Sequence, residues 1–102
     1  MPHPEPLSGR AEYRPTRRSR QRAQVTQALD NLQTVLDQAG FTLSDVVRLN
    51  IYTTDVDRFF EAFDAMVGRL APADCRPAST LLGVARLAFP ELLVEIEATA
   101  VA

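Results

Sequence analysis

Glu95 and Glu97 stand two positions apart in Val94-Glu95-Ile96-Glu97-Ala98. In an extended chain that spacing puts both carboxylates on one face, about 7 Å apart, which suits shared acid–base work. The alternative, favoured for Glu97, is that the pair is solvated or partnered by Arg48 on a neighbouring strand. Arg76, in Asp74-Cys75-Arg76-Pro77, offers the planar two-donor fork that grips a carboxylate; the alternative is a surface pair with Asp74 or Asp64. Cys75 is the single cysteine. Arg76 beside it could lower its thiol pKa, whereas without a partner base it reads as a small filler of the core. The single histidine, His3, lies in a proline-rich segment, so no Ser-His-Asp arrangement can form around it. Arg14, Arg17, Arg18, Arg20 and Arg22 could bind phosphates through charge, with only Tyr13 nearby for stacking. A solvated tail is the favoured reading of that cluster, and nucleic acid is not the expected partner.

These residues must be positioned by a small set of elements. From Ala23 the residues Val25, Ala28, Leu29, Leu32, Val35, Leu36 and Ala39 recur at three- and four-residue steps, which predicts an amphipathic helix ending at Gly40. Residues 46–54 alternate, with Val47, Leu49 and Ile51 on one side and Arg48, Asn50 and Tyr52 on the other. Asp55 or Asp57 can cap a second helix, whose stripe is Val56, Phe59, Phe60, Phe63, Met66, Val67 and Leu70. After the loop at 71–77, residues 79–88 are β-compatible, residues 89–91 form a turn, and residues 92–102 alternate again. The predicted order is α-β-α-β-β. Two helices on one face of three strands leave the other face and at least one edge uncovered, and self-association would cover both.

Composition narrows the function classes. The chain has 102 residues, 46% hydrophobic and 24% charged, with a formal charge of -2, which fits one folded domain. Residues 1–22 hold six Arg against Glu5 and Glu12, together with four of the seven prolines, and read as an irregular Arg/Pro-rich segment preceding a domain at 23–102. All the basic residues are Arg, which excludes a lysine Schiff base and a Walker-type phosphate lysine. One Cys and one His exclude an internal disulfide and a structural zinc cluster, so no metal is expected. No run approaches the ~20 apolar residues of a membrane span, and residues 1–10 lack the apolar core of a signal peptide. A cytoplasmic location, with no membrane partner, is the expectation.

Four blocks occur in order: Gln24-Val25-Thr26-Gln27-Ala28-Leu29-Asp30-Asn31-Leu32; Ser44-Asp45-Val46-Val47-Arg48-Leu49; Tyr52-Thr53-Thr54-Asp55; and Arg76-Pro77-Ala78-Ser79-Thr80 running on through Gly83-Val84-Ala85-Arg86-Leu87 to Val94-Glu95-Ile96-Glu97-Ala98. This series resembles the Rid (YjgF) family over about residues 22–102. The resemblance implies an α/β, chorismate-mutase-like mixed sheet with helices on one face, and a homotrimer with clefts between subunits. It also implies, in the deaminase branch, hydrolysis of enamines or imines such as 2-aminoacrylate to 2-keto acids and ammonia, without a cofactor. The family's N-terminal strands have no counterpart here beyond Leu7-Ser8-Gly9-Arg10. The Arg/Pro/Ser character of residues 11–22 is what a truncated or frame-shifted reading of a longer gene would give, and it predicts an incomplete sheet.

The resemblance also assigns site residues. Glu95 matches the cleft glutamate that positions the attacking water, and Ser8 matches the cleft serine. The arginine that holds the substrate carboxylate falls on Ser79 when the chains are matched through Val84-Ala85-Arg86-Leu87. Arg76, three residues upstream, would need a different loop path to replace it. The cleft asparagine falls on Phe63 and the cleft cysteine on Leu81. Two functions are therefore expected to compete. One is a trimer that binds a small carboxylated metabolite and deaminates imines weakly; the other is a non-catalytic ligand-binding or assembly module.

Overall fold

The computed structural model describes residues 17–102, with side chains from residue 20 onward. The order is α1 (Arg17–Ala39), β1 (Val46–Thr53), α2 (Val56–Glu61), α3 (Phe63–Leu70), β2 (Ala78–Gly83) and β3 (Val94–Ala100). Helix α1 begins six residues before the apolar pattern predicts, so residues 17–22, expected to be irregular, are helical. Gln21 explains the difference. It stands four residues before Val25 on the same helical face, and is 1% exposed, yet its amide carries no hydropathy signal. Its Nε2 donates to Thr53 Oγ1 at 3.3 Å, and that hydroxyl lies 2.7 Å from the Leu93 carbonyl. One polar chain thus ties the start of α1 to the end of β1 and the entry to β3. Gly40 ends the helix as expected, at φ 84°, where a side chain would be strained. Val35 and Ala39, expected on the buried stripe, face solvent.

The expected long second helix is two. Asp55 caps α2 by accepting a hydrogen bond from the Arg58 amide at 3.0 Å. The fully buried Ala62 then leaves helical geometry, with φ -103° and ψ 5°, and its amide reaches back to the Phe59 carbonyl at 3.0 Å. That tight turn re-aims α3, so Phe60, Phe63 and Val67, expected in the core, stay exposed.

The sheet has the order β2-β1-β3, with β1 parallel to β2 and antiparallel to β3. Val46 pairs with Ala100 but Arg48 with Thr99, so Val47 is the extra residue of a bulge. The bulge corrects the expected inward set: Val46, Leu49, Ile51 and Thr53 are buried, and Val47 is exposed. Strands β2 and β3 are shorter than predicted because their partner ends: Thr53 pairs with Gly83 and with Val94, and no further β1 residue pairs with either strand. All three helices cover one face. Val25, Leu29, Ile51, Phe59, Met66 and Val94 form the central cluster, while Leu36, Leu43, Val46, Leu49 and Cys75 form a second. The opposite face carries Arg48, Asn50 and Tyr52 of β1 beside Glu95, Glu97 and Thr99 of β3, uncovered among the described residues.

Candidate functional site

Strand alternation places Glu95 and Glu97 together on that open face, as expected. Their surroundings differ. Glu97 accepts hydrogen bonds from Asn50 Nδ2 at 3.1 Å and from the Tyr52 hydroxyl at 3.2 Å. Arg48, the expected partner, instead donates to Thr80 Oγ1 at 2.6 Å. Glu95 lies opposite Tyr52 in the register and has no hydrogen-bond or ion-pair partner among the described residues. Partial burial and then the charge and hydrogen bond of Glu97 raise the Tyr52 pKa, with a further contribution from Glu95. The phenol therefore stays protonated as a donor. Asn50 and Tyr52 were legible as a polar strand face, but their role as donors to Glu97 depends on the β1–β3 register.

The other sequence-predicted residues lie on the helix-covered side. A cavity of about 400 Å³ opens between α3, β1 and the loop entering β2, walled by Ile51, Phe63, Met66, Val67 and Leu70. Arg76 and Ser79 both line it. Arg76 is 85% exposed, and its Nε donates to Asp74 Oδ1 at 3.0 Å, a solvated pair of small energetic value. Asp74 itself sits at φ 56°, a left-handed conformation that aspartate tolerates better than most residues. The Ser79 hydroxyl reaches the Pro77 carbonyl at 3.4 Å. Phe63 and Val67, read from the sequence as core, are the residues of this wall that the pattern misplaced. Their signal is an apolar set on α2 and α3 wider than one buried stripe.

Cys75 also touches the cavity but is buried in the second core cluster, and burial pushes its thiol above the ordinary range. This overturns the possibility that Arg76 activates it: desolvation acts directly on the sulfur, while the exposed guanidinium is turned to Asp74 and screened by water. In native buffer at pH 7.5, Cys75 should react with a disulfide reagent at least about tenfold more slowly than in denaturant. Equal rates would show that the sulfur is accessible.

Ser8 and Arg14 lie outside the described residues, as do His3 and Tyr13. Of the arginine cluster, Arg22 Nη2 bonds Asp64 Oδ1 at 2.6 Å, which lowers the Asp64 pKa and removes one cation from any phosphate-binding array. Among the described residues, no group of three or more His, Cys, Asp or Glu is placed to hold a metal ion. Among the same residues, no helix is long and apolar enough to cross a membrane.

Residues 8–102 match the family model described as Endoribonuclease L-PSP. The chain belongs to the Rid (YjgF) family. It is 31% identical over 77 residues to the RutC family protein PH0854 of Pyrococcus horikoshii, an alignment covering 76% of this chain and 59% of that protein. Among solved structures it superposes on Rv2704 of Mycobacterium tuberculosis, a YjgF/YER057c/UK114 family member, with TM-score 0.74 and 41% identity, covering 79% of this chain and 67% of the other. The Rid family protein YyfB of Yersinia pestis gives TM-score 0.67 and 43% identity, covering 78% and 60%. The fold is thus the YjgF fold, and the chain spans about three fifths of the length of the curated relative. As a Rid-family chain it carries Ser79, Phe63 and Leu81 where the sequence resemblance expects arginine, asparagine and cysteine; Ser79 and Phe63 line the cavity under α3.

Proposed function

We propose that this Rid-family protein binds a small carboxylated metabolite in clefts between the subunits of a homotrimer and hydrolyses imines there at a low rate. The observation that carries this reading is the division of the polar groups. Arg76 and Ser79 serve the cavity on the helix side, while the unpartnered Glu95 lies on the open face beyond β1. One chain cannot bring anchor and carboxylate to the same ligand, but a neighbouring copy laid over the open face can. Arg76 would hold the ligand carboxylate. Glu95 of the adjacent copy would accept a hydrogen bond from water and take its proton as the oxygen bonds to the imine carbon. Nitrogen takes up the C=N π pair and receives that proton back from Glu95, giving a carbinolamine. Its hydroxyl proton then passes through Glu95 to the amine nitrogen as the C–N bond breaks, so nitrogen leaves as ammonia and the carbon keeps its oxygen as a 2-keto acid. An enamine enters the same route after moving one proton from nitrogen to its terminal carbon.

Ser79, Phe63 and Leu81 favour a second reading, a trimer that binds the ligand without the reaction. Purified protein given freshly generated 2-aminoacrylate separates the two when compared with the Arg76→Ala and Glu95→Ala variants. Slow turnover that falls in both variants is expected; equal rates in all three would remove the catalytic reading. Ser79→Arg should raise the wild-type rate by about 100-fold, because an anchor an ångström or more out of place costs roughly that factor. No gain from this variant would mean that the cavity is not where the carboxylate sits. A solution mass of three chains is the expected assembly, and a stable monomer would dissolve the cleft.

A further inference from the structure

We infer that the cavity under α3 selects monocarboxylates bearing a branched aliphatic or aromatic side chain over acids the size of pyruvate. This inference rests on the reading of the cavity as a metabolite site and names the class of acid it takes. The wall is apolar on every side that α3 and β1 supply, with Ile51, Met66 and Leu70 behind and Phe63 and Val67 towards solvent. Phe63 and Val67 are 41% and 45% exposed, so they offer apolar surface that an entering side chain would remove from water. The Phe63 ring is held in place by edge-on contacts with Phe59 and Phe60, at centroid distances of 6.0 and 6.2 Å, and so forms a prearranged wall. Pyruvate, with a single methyl group, would leave most of the 400 Å³ wet.

Charge sets the other limit. Among the described residues, Arg76 is the one ionised side chain lining the cavity, and it stands with Ser79 where the β2 loop meets the apolar wall. Asp74 engages its Nε, which leaves the Nη edge of the guanidinium for a ligand carboxylate. A second carboxylate on the ligand would press against Phe63, Met66 or Leu70 with no donor to meet it, so dicarboxylates are disfavoured. Asp74 competes with the ligand for Arg76. Asn at position 74 accepts the same left-handed backbone and removes the competing charge.

The test is calorimetric titration of the full chain, in its native assembly, with 4-methyl-2-oxopentanoate, pyruvate and 2-oxoglutarate. The branched acid should bind at least about tenfold tighter than pyruvate, and 2-oxoglutarate no tighter than pyruvate. Phe63→Asn, at an exposed position, should shrink that preference several-fold. Arg76→Gln should weaken both monocarboxylates about tenfold while leaving their ratio unchanged, and Asp74→Asn should tighten both. Equal affinity for pyruvate and the branched acid, lost in Arg76→Gln, would overturn the selectivity while leaving the carboxylate site standing. Binding of none of the acids would overturn both. Tight binding of the branched acid that ignores Phe63→Asn and Arg76→Gln would place it elsewhere and overturn the inference as well.

Discussion

Phe59→Ala is expected to cost about 3–5 kcal/mol of folding stability, close to the whole stability of a small domain. Phe59 is 1% exposed and belongs to the central cluster with Leu29, Ile51, Met66 and Val94, where α1, α2, α3, β1 and β3 all meet. Truncation removes the transfer energy of the ring and leaves a void that neighbours from four other elements cannot close together. Phe60→Ala is the matched control. Its ring is 57% exposed and touches the same aromatic group from outside, so it should cost less than about 1 kcal/mol. Urea denaturation followed by circular dichroism reads both. A loss below about 1.5 kcal/mol for Phe59→Ala would show that the three helices do not depend on this shared contact. The variant should also loosen the Phe63 wall of the cavity, which Phe59 holds edge-on.

Glu95→Gln carries the second large effect, and it is one of rate. In a Ser79→Arg background, where the anchor is restored, removing the carboxylate should lower imine hydrolysis by about 10²–10⁴-fold, the range that general acid–base groups supply. Stability should hardly change, because Glu95 is exposed and makes no hydrogen bond or ion pair within the described chain. Glu97→Gln separates the roles of the two carboxylates. Glu97 is held by Asn50 and Tyr52, so its loss should disturb those donors and leave most of the rate. If Glu97→Gln proves as severe as Glu95→Gln, the water is oriented by the pair and not by Glu95 alone. If neither variant slows the reaction, the open face takes no part in it.

Apart from the break at Ala62 that makes α2 and α3 of one expected helix, the α-β-α-β-β order was legible because it rests on short-range periodicity. Leu29 and Leu36, or Glu95 and Glu97, declare their shared face through helix and strand geometry alone. What escaped the pattern has a common cause. Gln21 is buried with its Nε2 bonded to Thr53, a residue 32 positions away, and hydropathy cannot register a polar residue that finds its partner at long range. The Val47 bulge and the early ends of β2 and β3 come from pairing with other strands, which no local window contains. Phe63 and Val67 look like core by composition, and only the turn at Ala62 brings them to a cavity rim. For the site, Glu95 on a polar strand face and Arg76 before β2 were both visible as residues, whereas the arrangement that separates them was not.

What the sequence determined by itself is the family, the kinds of element and the side of β3 on which the acids stand, since each follows from neighbours a few residues apart. Tertiary structure alone decided that Arg76 and Ser79 open onto the helix side, away from the sheet face that carries Glu95. The parallel β1–β2 register and the antiparallel β1–β3 register together set those directions, and both are fixed by contacts between residues tens of positions apart.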